Sequence, residues 1–334
     1  MDTTPDNCYL CLKSEYNMVK IMKQQKYALY SALSLITAWC FLSLYWPAKK
    51  ESKNQFLVNI LSDSISRIVS VCPGDIGVAA IINCTDTIAI NNKRVYPMMS
   101  VFKLHQALAV CNHFDQNHLS LDTLLTIQRK RLNTNTWSPM MQKHQEQSFK
   151  LSVKDLLRYT LIQSDNNASN IMFEHLVNVH KTDSFIATLI PRSSFRITYT
   201  ETEMATDHAK VDSNYTSPLG AAILINKVFT EALVSFEKQK FIMNTLSECT
   251  TGKDRIMAPL LGKDGVSIAH KTGSGYIEKG ILAAHNDVAY IRLPNKQQYA
   301  LAIFVRNFNG NEAQASEVMA KISDVVYSLL SQTH

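Results

Sequence analysis

Pro97-Met98-Met99-Ser100-Val101-Phe102-Lys103-Leu104 is the stretch on which both fold and chemistry turn. Proline fixes its own φ and is tolerated just before or at a helix start. Beyond Ser100 the apolar Val101, Leu104, Leu108 and Val110 recur at helical spacing, so a helix is predicted from residue 100. Ser100 and Lys103 are three apart and share one face of it. A serine hydroxyl is a weak nucleophile at its free pKa and needs a base within hydrogen-bond reach. A lysine made neutral by a dry pocket can serve. The free N–H groups of a helix start also favour the negative charge that such chemistry develops. Taken alone, the pair reads as a solvated serine and lysine on a helix surface.

Two later stretches change that balance: Ser164-Asp165-Asn166, and Lys271-Thr272-Gly273 followed by Ser274-Gly275. This ordered triple is the signature of class A β-lactamases and penicillin-binding proteins. Over residues 55–332 the chain resembles the class A serine β-lactamases. Within them it looks most like the CfxA-type cephalosporinases, through Ser-Asp-Asn-Asn-Ala-Ser-Asn (164–170), Thr-Ser-Pro-Leu-Gly-Ala-Ala (216–222) and Ala-Ala-His-Asn-Asp-Val-Ala-Tyr (283–290).

Working outward, the 334 residues carry 46% apolar side chains and a net charge of +6. Six lysines against three acidic residues lie in the first fifty positions, which leaves 28 basic and 25 acidic residues for the rest. That balance is too mild for a nucleic-acid partner. No internal repeat or glycine-rich phosphate loop is present. The seven cysteines are an odd number, so at least one is unpaired within the chain. Pairs among Cys72, Cys84, Cys111 and Cys249 are open if the protein is exported. Cys8 and Cys11 have no second pair to complete a zinc site. His113 and His118 lack a third ligand at metal spacing, and no metal or other cofactor is expected.

Residues 1–50 read as a polar segment followed by an export signal or membrane anchor. Lys20, Lys23 and Lys26 precede an uncharged, mostly apolar run at 27–46, long enough to cross a bilayer. Residues 51–334 read as the catalytic domain. Its α/β lobe is expected at 55–95 and 250–334, and its helical lobe at 96–249. A helix is expected at 56–71, then strands at 75–83 and 87–90. Helices follow at 100–114, 121–126, 152–162, 167–178, 182–188, 217–232 and 236–248. Strands return at 266–271, 284–293 and 299–308 before a helix at 311–331. The fold class is α+β. The resemblance implies the serine β-lactamase/transpeptidase-like fold, an antiparallel sheet flanked by helices beside an all-helical lobe, with the site between them.

The resemblance also assigns roles. Ser100 is the nucleophile and Lys103 its base or proton relay. Ser164 passes a proton to the leaving nitrogen. Asn166 orients a substrate amide, and Asp165 is structural. Lys271 and Thr272 face the substrate carboxylate, Arg255 supports that contact, and Gly273 lets the ligand approach closely. The N–H groups of Ser100 and Ser274 form the oxyanion hole. Trp137 is an aromatic rim to the pocket, or else a core tryptophan. Turnover needs a base that activates water, and Glu201 holds that place in Glu201-Thr202-Glu203-Met204-Ala205, with Glu203 its rival. Ala205 stands where an asparagine usually helps hold the water. Tyr199 stands where an arginine usually pins the loop. His105 lies five residues past Ser100 and points off its face; His285 reads as structural.

The reading is a monomeric, periplasmic serine β-lactamase acting on a small β-lactam, a cephalosporin by resemblance, and touching membrane only through its N-terminal segment. Two alternatives keep the same triple. A penicillin-binding D-Ala-D-Ala peptidase lacks the dedicated water base. A membrane-anchored β-lactam sensor is acylated once and stays so.

Overall fold

The computed structural model describes residues 22–26, 28, 29, 31, 34 and 53–332. The first nine of these are helical. The expected membrane-length run at 27–46, apart from residues 28, 29, 31 and 34, lies outside the described residues, as do Cys8 and Cys11. Among the described residues no helix is long and apolar enough to cross a membrane.

The chain from residue 53 opens with helix α1 (Lys53–Ser70) and strands β1 (Asp75–Ile82), β2 (Asp86–Ile90) and β3 (Tyr96–Pro97). A 3-10 turn, Met99–Val101, leads into α2 (Phe102–Gln116). Then come β4 (Leu124–Gln128), α3 (Pro139–Lys143), β5 (Ser148–Ser152), α4 (Val153–Ile162), α5 (Asn166–His175) and α6 (Val179–Ile186). Next are β6 (Phe195–Arg196), α7 (Glu201–Thr206), β7 (Tyr215–Thr216), α8 (Pro218–Thr230) and α9 (Phe236–Ser247). The chain closes with β8 (Ser267–Ser274), β9 (Ile277–Glu278), β10 (Ile281–Arg292), β11 (Gln298–Asn309) and α10 (Glu312–Ser331).

The main sheet runs β2-β1-β11-β10-β8, antiparallel throughout, with β9 pairing β10. β1 reads as a nearly unbroken apolar run because the sheet is covered on both faces. Period-two alternation divides its side chains. Ile76, Val78, Ala80 and Ile82 pack with Leu61 and Ile65 of α1 and with Ile322, Val326 and Leu330 of α10. Ala79 and Ile81 turn to the other face, joining Leu224, Ile225 and Val228 of α8 and the core of the helical lobe. This is the α+β architecture expected.

Within 96–249 the sequence reading needs correcting. Residues 121–126, a helix in the sequence reading, do not form one. They lead instead into β4, which pairs with β5 from Leu124↔Ser152 to Gln128↔Ser148. Leu124 is exposed, so its spacing records no buried helical face. The small sheet β3-β7-β6 also lies in this span and ties Tyr96 and Pro97 to Thr216 and Tyr215. Pro97 thus closes a strand, and the turn Met99–Val101 separates it from the helix. The pairings left open among Cys72, Cys84, Cys111 and Cys249 do not form: all four are free thiols.

Candidate active site

Three pieces of chain converge where β8 meets the start of α2. The turn carrying Ser100 is held from behind. Asn286 of β10 donates to Pro97 O at 2.8 Å and Met98 O at 3.2 Å. The Met98 N–H donates to Asn214 O at 2.8 Å. Met99, just before Ser100, has φ +46°, a conformation uncommon for a residue with a side chain.

Lys103 is fully buried. Its Nζ lies 2.9 Å from Ser100 Oγ, 2.8 Å from Ser164 O, 2.6 Å from Asn166 Oδ1 and 2.8 Å from Glu201 Oε1. An ammonium has three protons, and here it meets four acceptors. The carbonyl, amide and carboxylate oxygens can only accept. When they take all three protons, the Ser100 hydroxyl keeps its own, and Glu201 Oε1 lies 3.2 Å from it. The serine proton therefore points at a base.

Ser164 precedes α5 with φ +58°. Its Oγ accepts from Lys271 Nζ at 3.0 Å. Asp165, fully buried, is the N-cap of α5 and accepts from Ala168 N at 2.9 Å. It also accepts from Ser138 Oγ at 3.0 Å and Met140 N at 2.7 Å, which fastens this turn to the loop carrying Trp137. Asn166 donates through Nδ2 to Thr136 Oγ1 at 2.8 Å. Trp137 is 56% exposed, so it is not a core tryptophan. Its Nε1 donates to Gln163 O at 2.8 Å, which fixes the ring beside the Ser164 turn.

On β8, Lys271 is fully buried, and burial holds its ammonium down to about 7. Thr272 Oγ1 lies 2.5 Å from Thr251 Oγ1. Gly273 packs against the Ser100 turn; a Cβ there would stand 2.5 Å from Met98 O and 3.2 Å from Ser100 N. Arg255 is buried, not a surface arginine. It donates to Asn286 O at 2.7 Å, Gly273 O at 3.2 Å and Ser274 Oγ at 2.6 Å, so it braces the end of β8 from behind.

The two glutamates part company. Glu201 is the first residue of α7 and turns to Ser100 and Lys103. Glu203 closes a capping box: its Oε2 accepts from Thr200 N at 2.8 Å and Thr200 Oγ1 at 2.9 Å. Asn170 donates to Thr202 Oγ1 at 2.8 Å and holds α7 to α5. The missing arginine bridge has a substitute. Buried Asn214 accepts from Thr198 N at 2.7 Å and Tyr199 N at 2.9 Å and donates to Tyr199 O at 2.8 Å.

His105 is buried against the Phe195 ring, and burial pushes it down to about 4. His285 is bound to Ser316 Oγ at 2.9 Å, below the sheet. Among the described residues no cluster of three His, Cys, Asp or Glu side chains could hold a metal ion.

The sequence reading missed Thr136, Asn170, Asn214, Thr251 and Asn286. Each is a small polar residue whose use depends on contacts from elsewhere in the chain. Asn170 had a signal, since it closes the quoted 164–170 stretch.

A serine with a buried lysine at its Oγ, a second lysine opposite and a carboxylate in reach defines a serine acyl-transfer enzyme. Residues 60–330 match the Beta-lactamase enzyme family, and the chain belongs to it. It is 62% identical to a β-lactamase of Phocaeicola vulgatus, over 95% of this chain and 99% of that protein. It is 30% identical to the extended-spectrum β-lactamase PER-1 of Pseudomonas aeruginosa, over 80% and 86% of the two chains. The TLA-3 extended-spectrum β-lactamase superposes with a TM-score of 0.79 at 32% identity, covering 82% of this chain and all of that one. A class A β-lactamase from Bacteroides cellulosilyticus gives 0.78 at 30%, over 83% and 99%. The chain is a class A serine β-lactamase homologue and a hydrolase of that class.

Proposed function

We propose that this enzyme hydrolyses cephalosporins through an acyl-enzyme on Ser100 and confers resistance to them. The observation that carries the reading is the placement of Ser100 Oγ between Lys103 Nζ, at 2.9 Å, and Glu201 Oε1, at 3.2 Å. As Ser100 attacks the β-lactam carbonyl, its proton passes to Glu201 or directly to Lys103 as the neutral amine, and the second route stays open in Glu201→Gln. Ser164, hydrogen-bonded to Lys271, gives its proton to the departing nitrogen and is reprotonated with the one that Ser100 released, so Glu201 ends acylation as a carboxylate again. Lys271 and Thr272, with Ser274 braced by Arg255, receive the substrate carboxylate. Asn166 orients the side-chain amide, and Trp137 borders the entrance. Glu201 then takes a proton from the water that cleaves the ester.

The N–H groups of Ser100 and Ser274 receive the developing oxyanion. Gly273→Ala is expected to push β8 away from the Ser100 turn and lower kcat by about 10²-fold or more, the scale of losing one oxyanion donor. Steady-state kinetics beside a thermal melt check this, since the melt should shift by only a few degrees.

The cephalosporin preference rests on the likeness of residues 164–170, 216–222 and 283–290 to the CfxA-type enzymes. Residues 1–50 act as export signal or anchor, residues 51–334 as a monomeric catalytic domain in the periplasm. Purified enzyme should turn over a chromogenic cephalosporin many times and a matched penicillin more slowly. One equivalent of product followed by silence would instead favour the sensor or peptidase reading.

A further inference from the structure

Three side chains stand in line behind the substrate face of β8. Cys249 Sγ lies 3.3 Å from Thr251 Oγ1, which lies 2.5 Å from Thr272 Oγ1. Thr251 owns one proton and two lone pairs, so it either accepts from both neighbours or accepts from one and donates to the other, and only a relay running toward Thr272 leaves the Thr272 proton free. In the outward sense, Cys249 donates to Thr251, Thr251 donates to Thr272, and the Thr272 proton is free for a substrate carboxylate. In the inward sense, Thr272 donates to Thr251 and Thr251 to Cys249. Thr272 then offers a carboxylate only lone pairs. A thiolate can only accept, so ionised Cys249 selects the inward sense.

We propose that Cys249 is a positioning residue which, through Thr251, decides whether Thr272 donates to the substrate carboxylate, so that affinity falls when the thiol ionises. The inference rests on the reading of Thr272 as a carboxylate-binding residue.

The surroundings bring this transition into an accessible range. Cys249 is 5% exposed, and burial pushes its thiol up. His270 and Lys271 of β8, aided by the Thr251 hydrogen bond, outweigh burial and hold it at about 7. Burial pushes His270 down, but Asp287 of β10, 3.0 Å from its Nδ1, and Cys249 hold it up at about 10. Asp287 thus favours the imidazolium beside Cys249. Arg255 is the remaining charged neighbour.

Lys271 titrates in the same range, and losing its charge also weakens carboxylate binding as pH rises. The two causes have opposite signs in a Cys249 variant. Cys249 as thiolate favours the Lys271 ammonium, so its removal would bring a Lys271-driven loss to lower pH. Removal of the thiolate acceptor, by contrast, reduces the loss or moves it to higher pH.

The test is calorimetric titration of the full-length Ser100→Ala protein with a cephalosporin bearing its free carboxylate. It is run between about pH 5.5 and 9, bracketing an ordinary thiol range, with Cys249 intact, as Cys249→Ser and as Thr251→Val. With Cys249 intact, Kd should rise about tenfold as the thiol ionises, the scale of losing one hydrogen bond to a charged group. In both variants the rise should shrink or move to higher pH. An unchanged rise, a rise at lower pH in Cys249→Ser, or no binding at any pH would overturn the proposal. Turnover by the wild type, measured alongside, separates the two readings: its absence contradicts the hydrolase reading, whereas the Kd profile judges the relay.

Discussion

Ser100→Ala is expected to lower kcat/KM for cephalosporin hydrolysis by about 10⁵-fold or more, the scale seen when a serine nucleophile is removed. The reason is local. The substitution removes the oxygen that Lys103 and Glu201 jointly address, at 2.9 and 3.2 Å. The rest of the cluster stays whole, because Lys103 keeps Ser164 O, Asn166 Oδ1 and Glu201 as partners. The fold should therefore survive, with circular dichroism unchanged and the melting temperature within a few degrees of wild type. Activity within about a hundredfold of wild type, far above the loss expected for a nucleophile, would mean that another group attacks the substrate.

Lys103→Met should cost both activity and stability. Methionine has similar length and suits a fully buried position. It nevertheless strands the Glu201 carboxylate, whose side chain is only 13% exposed, and two further acceptors. Breaking a buried ion pair by removing one partner costs about 3–5 kcal/mol. The lower end is expected here, because Glu201 keeps some water. Loss of proton transfer alone should slow acylation about 10²–10⁴-fold. Lys103→Arg should not restore it, since a planar guanidinium cannot reproduce four contacts around one nitrogen. Stopped-flow acylation rates and denaturant midpoints read the two effects separately. An unchanged acylation rate would remove Lys103 from the mechanism.

Much of this site was legible because its parts are local. Ser100 and Lys103 meet because they are three apart, and Ser164, Asp165 and Asn166 sit on one turn. The strands of the main sheet were legible from alternation and unbroken apolar runs. The legibility failed where distant chain decides. Residues 121–126 carry leucines at helical spacing, yet the hairpin that captures Leu124 and Leu125 is made by Ser152 and Leu151. Tyr199 signalled only that an arginine was missing. That Asn214, fifteen residues on, would grip both faces of that peptide had no local sign. Glu201 and Glu203 were separated in the sequence only by spacing to Met204. In the fold they differ physically, one carboxylate turned to the serine and the other spent on a helix cap.

That difference gives the most direct test. Intact-mass spectrometry follows wild type, Glu201→Gln and Glu203→Gln after mixing with a cephalosporin. Glu201→Gln should acylate once and hold the adduct, mapped by peptide digestion to Ser100, while wild type returns to its free mass. Glu203→Gln should also return to its free mass, and its amide oxygen can still accept from Thr200 N–H and keep the capping box. A lasting adduct in Glu203→Gln with rapid clearance by Glu201→Gln would contradict the account, as would an adduct on any residue other than Ser100.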